Sequence, residues 1–495
     1  MSMLRNLLSV LLLVVFLQLA SFAAELKPVK YVFLFIGDGM SIPQRMMAEE
    51  FLKKTENRGL KINSMPQHAV TTTISSNEFI TDSAASGTAI ACGEKTNNGM
   101  IGVSPSGERY ESVAEVAHKN GKKVGIISSV TINDATPAAF YGHRLNRGQS
   151  YDLGLDLVAS GFEYFGGGGV SEHKPKSKET KKEDGTVVKE EPEKDIYDLA
   201  KDAGYTVCRK PEEVKTLQKG VGKVIALGSE TDFPYAIDQP AGGLRLADFT
   251  RQAIELLDNP KGFFIMTEGG KIDWMCHGND AATTLWEIVE FDNAVKVAFE
   301  FAEKHPDETL IVVTGDHETG GLTLGFAGTG YQTFIELIKH QKASTDALET
   351  DIRAYVKEHP DAEFNDLRPY ITEKTGLLFT EDGVWKPGTM ILTKGEIKEL
   401  EASFDKFFKK KDDADNGGTK LTSVARTLVR LVNNKAGLAW TTGGHTALPV
   451  NTTAWGKCSD AFFGMIDNTD IAKKLKPIVA GKNTRTLRQP NRFRQ

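Results

Sequence analysis

Several short stretches of this 495-residue chain carry residues that could do chemistry, and their spacing says which chemistry. Asp273 and His277 stand four apart, so a helical turn puts them on one face where they can chelate one ion. Asp316 and His317 are adjacent, which a strand would point to opposite faces. The glycine-rich turn from Gly315 to Gly321 can bring them together. Glu268 lies five residues before Asp273 across Gly269-Gly270 and can serve a different ion. Asp38 sits in Gly37-Asp38-Gly39, Asp134 and Thr136 in Asp134-Ala135-Thr136-Pro137, and a late imidazole in Thr441-Thr442-Gly443-Gly444-His445-Thr446. Carboxylates crowd together only if cations separate them. Asp, Glu and His are ligands of zinc and magnesium, so this pattern predicts a site for several metal ions.

A nucleophile stands in Thr81-Asp82-Ser83-Ala84-Ala85-Ser86-Gly87-Thr88-Ala89, a run of small residues that reads as a helix with Asp82 or Ser83 as its N-cap. A serine there would present its oxygen beside free backbone N–H groups, which together with the helix dipole bind phosphate. Its hydroxyl needs a base or a metal to become nucleophilic near neutral pH, and the ligand set would supply the metal. Arg144 and Arg147 follow the Asp134–Thr136 loop, and either could clamp two phosphate oxygens.

These residues must be brought together by the elements before them. Tyr31–Ile36, Val124–Ser128, Phe263–Thr267 and Leu310–Thr314 are nearly continuous apolar runs, as expected of strands buried on both faces in a parallel sheet. Helical patterns at Ser112–Asn120, Leu244–Leu257 and Leu285–Lys304 separate them. The alternation predicts an α/β fold with a doubly wound, mostly parallel sheet flanked by helices. Each run leads directly into one of the chemical stretches, at the strand ends where such sheets bind ligands.

The composition is that of a globular protein, with 40% hydrophobic and 25% charged residues, which excludes wholesale disorder, collagen and coiled coil. A formal charge of -6 gives no electrostatic footprint for nucleic acid. The length allows several domains, but one large α/β domain over 24–480 fits the pattern better. Within it, 171–195 reads as a charged, solvated insertion and about 326–436 as a helical cap insertion. Residues 481–495 form a basic tail. Arg5, the apolar stretch Leu7–Ala20 and the small residues around Phe22 read as a signal peptide cleaved after Ala23. The protein is then exported, to periplasm or medium, with no membrane span remaining. Four cysteines in an exported chain permit two disulfides, and none forms a C-x-x-C pair.

At these residues the chain resembles the alkaline phosphatase family. Ile80 to Thr88 matches the family's nucleophile signature, and the motifs around Asp38, Asp134–Pro137, Glu268, Asp316-His317 and His445 occur in the family's order. The resemblance implies a phosphomonoesterase in which Ser83 is phosphorylated and Arg147, rather than Arg144, binds the phosphate. It implies a first zinc on Asp273, His277 and His445, and a second zinc on Asp38, Asp316 and His317. A magnesium would sit on Asp38, Thr136 and Glu268, with Asp134 behind it. It also implies broad phosphate-monoester specificity and a homodimer. Trp274 stands where enterobacterial members carry a lysine, and could contact substrate. Asp134 stands where vertebrate and some marine bacterial members carry histidine. The rival readings are a superfamily phosphodiesterase, typically with a threonine nucleophile, and a sulfatase with a modified Cys or Ser. Removal of the leader takes the formal charge from -6 to -7, and two zincs with one magnesium would bring it to about -1.

Overall fold

The four apolar runs become the middle of one sheet. The computed structural model of the protein describes residues 28–174, 179–181, 187–189, 194–409 and 423–482. The expected leader 1–23, parts of the insertion 171–195 and most of the basic tail lie outside the described residues. The strands in chain order are β1 (Tyr31–Gly37), β2 (Gln67–Thr72), β3 (Lys123–Ser128), β4 (Tyr164–Gly167), β5 (Glu179–Lys181), β6 (Val187–Lys189), β7 (Tyr205–Cys208), β8 (Lys223–Leu227), β9 (Phe263–Gly269), β10 (Thr309–Gly315), β11 (Glu318–Thr319), β12 (Leu322–Thr323), β13 (Ala439–Trp440), β14 (His445–Thr446), β15 (Val450–Gly456) and β16 (Gly464–Asp467).

Ten of them form a sheet in the order β16-β2-β15-β10-β1-β9-β3-β4-β8-β7. All its pairings are parallel except the two made by β15. The remaining strands make the two-stranded pairs β5–β6, β11–β14 and β12–β13.

Strands β1, β9 and β10 are buried at every position, which is why their sequences lack alternation. Alternate side chains nevertheless separate by face. Tyr31, Phe33 and Phe35 of β1 enter one apolar core, and Val32, Leu34 and Ile36 enter the other. Helices cover both faces. Ala281–Ala302 and Leu246–Leu257 pack together on the first. Val113–Lys119 and Thr469–Val479 pack on the second. Ser112 caps the helix Val113–Lys119 through a capping box with Glu115.

The described part of 326–436 is helical, with Thr345–Glu358, Arg368–Thr375, Lys394–Phe404 and Ser423–Ala436 as its longer pieces. Its apolar side chains, among them Ile352, Ile371, Leu400 and Leu428, are continuous with the core on the first face of the sheet. The buried Asp280 fastens this region down. It caps Ala281–Ala302 by accepting from Thr283 N, and it also accepts from Gln341 Nε2, Thr345 N and Thr345 Oγ1 at 2.8–2.9 Å.

The two disulfides that the cysteine count permits do not form. No disulfide links Cys92, Cys208, Cys276 or Cys458, and the first three are buried. No helix among the described residues is long and apolar enough to cross a membrane.

Candidate active site

The parallel register sets the site. Gly37 pairs with Gly315 on one side and Gly269 on the other, and Ser128 pairs with Glu268. Four adjacent strands, β10-β1-β9-β3, therefore end level, and their following residues share one edge. Asp38 follows β1, and Asp316 and His317 follow β10. Glu268 is the last but one residue of β9, and Asp134 and Thr136 lie beyond β3. Gly39 lets the β1 turn close. It takes a φ of +69°, and a Cβ there would come within 2.9 Å of the Asp273 backbone.

Two ligand groups emerge. Asp38, Asp316 and His317 are buried and bring potential ligand atoms together, as do Asp273, His277 and His445. In the first, His317 Nε2 lies 3.2 Å from Asp38 Oδ1 and 3.3 Å from Asp316 Oδ2. Asp38 Oδ1 is buried and accepts no hydrogen bond. In the second, the helix Lys271–His277 puts Asp273 and His277 on one face, with Asp273 Oδ2 3.3 Å from His277 Nε2. His445 arrives on β14, held by its pairing with β11. His277 Nδ1 donates to Gly443 O at 2.7 Å, and His445 Nδ1 donates to Thr81 O at 2.8 Å. With both rings neutral, each Nε2 carries a lone pair, yet the two face each other at 3.2 Å. Facing lone pairs and an orphaned carboxylate oxygen fit cation sites rather than a closed hydrogen-bond network. Thr319 joins the two groups, donating to Asp273 Oδ1 at 2.5 Å while lying 3.2 Å from His317 Nδ1.

A third set lies beside the first. Thr136 Oγ1 donates to Asp38 Oδ2 at 3.4 Å, and Glu268 accepts from Ser128 Oγ. The electrostatics reflect the crowding. Burial, then repulsion from Asp316 and Asp273, pushes the Asp38 carboxyl well above the usual range. Burial and the neighbouring Asp273 raise Asp316 to about 7. Burial, with the charges of Asp134 and Asp316, raises Glu268 to about 8. Burial opposes ionisation of Asp273 as well, but the surrounding imidazoles outweigh it and hold that group below its usual value. Burial pushes His317 well below the normal histidine range, which keeps its ring neutral, the form that ligates metal.

Ser83 is the first residue of the helix Ser83–Cys92, and Asp82, not Ser83, is the N-cap, accepting from Ala85 N at 2.9 Å. Ser83 Oγ lies 3.2 Å from His317 Nε2, at the edge of the buried ligand group. The small residues of this run serve packing. A Cβ on Gly87 would meet Thr136 Cα and Ala139 Cβ at 3.3 Å. Arg147 reaches between Asp82 Oδ2 at 3.4 Å and Asp134 Oδ1 at 3.2 Å. Arg144 instead is bound to Asp156 at 2.6 Å, which settles its use elsewhere. Trp274 is half-buried, with the Lys271 ammonium 4.4 Å from its ring centroid. Sequence reasoning missed the supporting hydroxyls of Thr319 and Ser128, and that of Ser86, which donates to Asp316 Oδ2 at 3.2 Å. Threonines and serines carry no spacing signal of their own.

The mostly parallel α/β sheet and the ligand groups along its edge fit a metal-dependent hydrolase. The chain belongs to the alkaline phosphatase family, whose model matches residues 29–480. It is thus a phosphomonoesterase. It is 32% identical over 461 residues to alkaline phosphatase 3 of Bacillus subtilis, covering 90% of this chain and 88% of that one. To the alkaline phosphatase of Schizosaccharomyces pombe it is 26% identical, covering 90% and 80%. Among solved structures it is similar to the cold-active alkaline phosphatase of a psychrophilic Shewanella, with a TM-score of 0.73 at 26% identity, covering 91% and 99%. It is also similar to a mutant alkaline phosphatase from the Antarctic bacterium TAB5 with Mg bound in the M3 site. There the TM-score is 0.61 at 26% identity, covering 92% and 99%.

Proposed function

We propose that Ser83 is the nucleophile of a two-step hydrolysis. Its oxygen bonds to phosphorus as the ester P–O bond breaks, the alcohol leaves with a proton, and water then splits the phosphoserine to release phosphate. The observation that carries this reading is Ser83 Oγ at a helix N-terminus, 3.2 Å from an imidazole nitrogen of a buried ligand group.

The chain's own residues supply position and shape. The backbone amide of Ser83 would face the phosphoryl oxygens, and Arg147, splayed between Asp82 and Asp134, offers a planar fork to two of them. Thr319 fixes the two ligand groups relative to each other. Asp273, His277 and His445 would hold one zinc, and Asp38, Asp316 and His317 a second. Asp38, Thr136 and Glu268 would hold magnesium, with Asp134 behind them. The neighbour from TAB5 with Mg in its M3 site supports a magnesium at the third position. Such ions supply Lewis-acid neutralisation of the phosphate charge and a lowered pKa for an attacking oxygen. A Trp274 contact to substrate is part of the same reading.

The enzyme is further read as exported after removal of 1–23. It would be a single catalytic domain over 24–480 carrying the insertions 171–195 and 326–436, and a homodimer. Turnover of a phosphate monoester, a phosphodiester and a sulfate ester, with and without chelator, tests the reaction class. Ser83→Ala should abolish monoester hydrolysis, and undiminished turnover would exclude the mechanism. Anomalous scattering from a crystal should show zinc at two positions, and fewer would exclude the ligand assignment.

A further inference from the structure

Beside the Asp273–His277–His445 group lies a cavity of about 460 Å³ that the phosphoryl chemistry does not use. Its lining includes His277 of that group and Gly443, whose carbonyl accepts from His277 Nδ1. The nucleophile stands at the other ligand group, where Ser83 Oγ touches His317. In an in-line displacement the departing oxygen lies opposite the attacking one, so the cavity is on the leaving-group side.

Its lining is polar and incomplete. Asn433 is 1% exposed, and its Nδ2 donates to Asn279 O at 2.7 Å, which fixes the amide so that Oδ1 is the free atom. That Oδ1 has no hydrogen-bond partner, nor does Asn279 Oδ1 or the Trp440 indole N–H, and all three atoms are buried. Asn279 is held in the left-handed region at φ +53°, a conformation asparagine tolerates at some cost. Three partnerless polar atoms on residues that line one cavity are costly unless a small rearrangement lets something bind there. The cavity has no acidic side chain in its lining and two arginines. Arg430 is spoken for by Glu399 at 2.5 Å, whereas Arg426 is exposed with no acidic partner among the described residues.

We propose that this cavity is a leaving-group subsite that favours phosphate monoesters whose alcohol carries hydroxyl groups and a second anionic group. Hydroxyls donate to Asn279 Oδ1 and Asn433 Oδ1, the Trp440 N–H donates to an oxygen of the same alcohol, and Arg426 faces the second anion. The inference rests on the phosphomonoesterase reading and on the Asp273 group lying on the leaving-group side.

Glucose 1,6-bisphosphate and phenyl phosphate separate the two levels, since either sugar phosphate leaves with further hydroxyls and a charge, while phenol has no charge and no hydroxyl besides the departing one. The wild type should show a higher kcat/KM for the bisphosphate. Arg426→Gln should lower the ratio of the two kcat/KM values about tenfold, the worth of one charge-assisted hydrogen bond. Trp440→Phe should lower it severalfold through KM for the bisphosphate. A wild type that prefers phenyl phosphate, or a ratio unmoved by both substitutions, would overturn the subsite and leave the phosphatase reading intact. A wild type that hydrolyses neither would overturn both.

Discussion

Two buried carboxyls set the behaviour of the site before any substrate arrives. Without cations, burial and then the charges of neighbouring carboxylates hold Asp316 near 7 and Glu268 near 8. Each value is raised above that of the unfolded chain, so the folded state keeps protons that the unfolded state releases. The stability this confers is complete below about pH 4 and is lost as pH rises through 7 and 8. Metal-free protein should therefore melt at progressively lower temperature between about pH 4 and pH 8, and saturating zinc should flatten that slope. Calorimetry across the range, with and without chelator, checks it. Arg147 makes a second prediction. Its fork is held by two aspartates, Asp82 and Asp134, and a lysine would keep the charge but lose the two-point geometry. Arg147→Lys should lower kcat/KM for a monoester by roughly tenfold or more, while the melting temperature stays close to that of the wild type.

At the scale of elements, the catalytic edge is where sequence and structure agree most closely. Runs such as Tyr31–Ile36 announce themselves because strands covered on both faces cannot alternate, and Tyr31–Ile36 and Leu310–Thr314 each lead into a glycine followed by an aspartate. The pair Asp273–His277 was legible because a helix repeats every 3.6 residues. The outer strands were not legible. β4, β7 and β16 are four residues each, too short for a periodic signal, and β15 runs against its neighbours, which no local pattern reveals. Nor could spacing say that Asp82 would be both cap and arginine partner, because that role depends on Arg147 arriving from 65 residues away. Asp280 shows how one residue can hold two elements. Asp280→Ala would strip the cap from Ala281–Ala302 and leave Gln341 and Thr345 donors buried without acceptors. It should cost about 3 kcal/mol of unfolding free energy, measurable in urea.

At the scale of the molecule, the proposed ligands, drawn from positions 38 to 445, would make metal binding and folding one equilibrium. Chelation should lower the melting temperature, and each tenfold rise in free zinc above its dissociation constant should restore about 1.4 kcal/mol per site, readable by thermal denaturation. A melting temperature indifferent to chelator would contradict this coupling. The antiparallel pair β12–β13 has a different consequence. Leu322 lies against Trp440 and Thr323 against Ala439, so the chain leaves for 115 residues and returns to its point of departure. A loop whose ends are already joined costs little more when it grows longer. Such an excursion is free to be exchanged, during descent or at the bench, for one of another length. The replacement would have to offer an apolar underside and donors for the buried Asp280. Catalysis and the choice of alcohol could in this way diverge at separate rates within one chain.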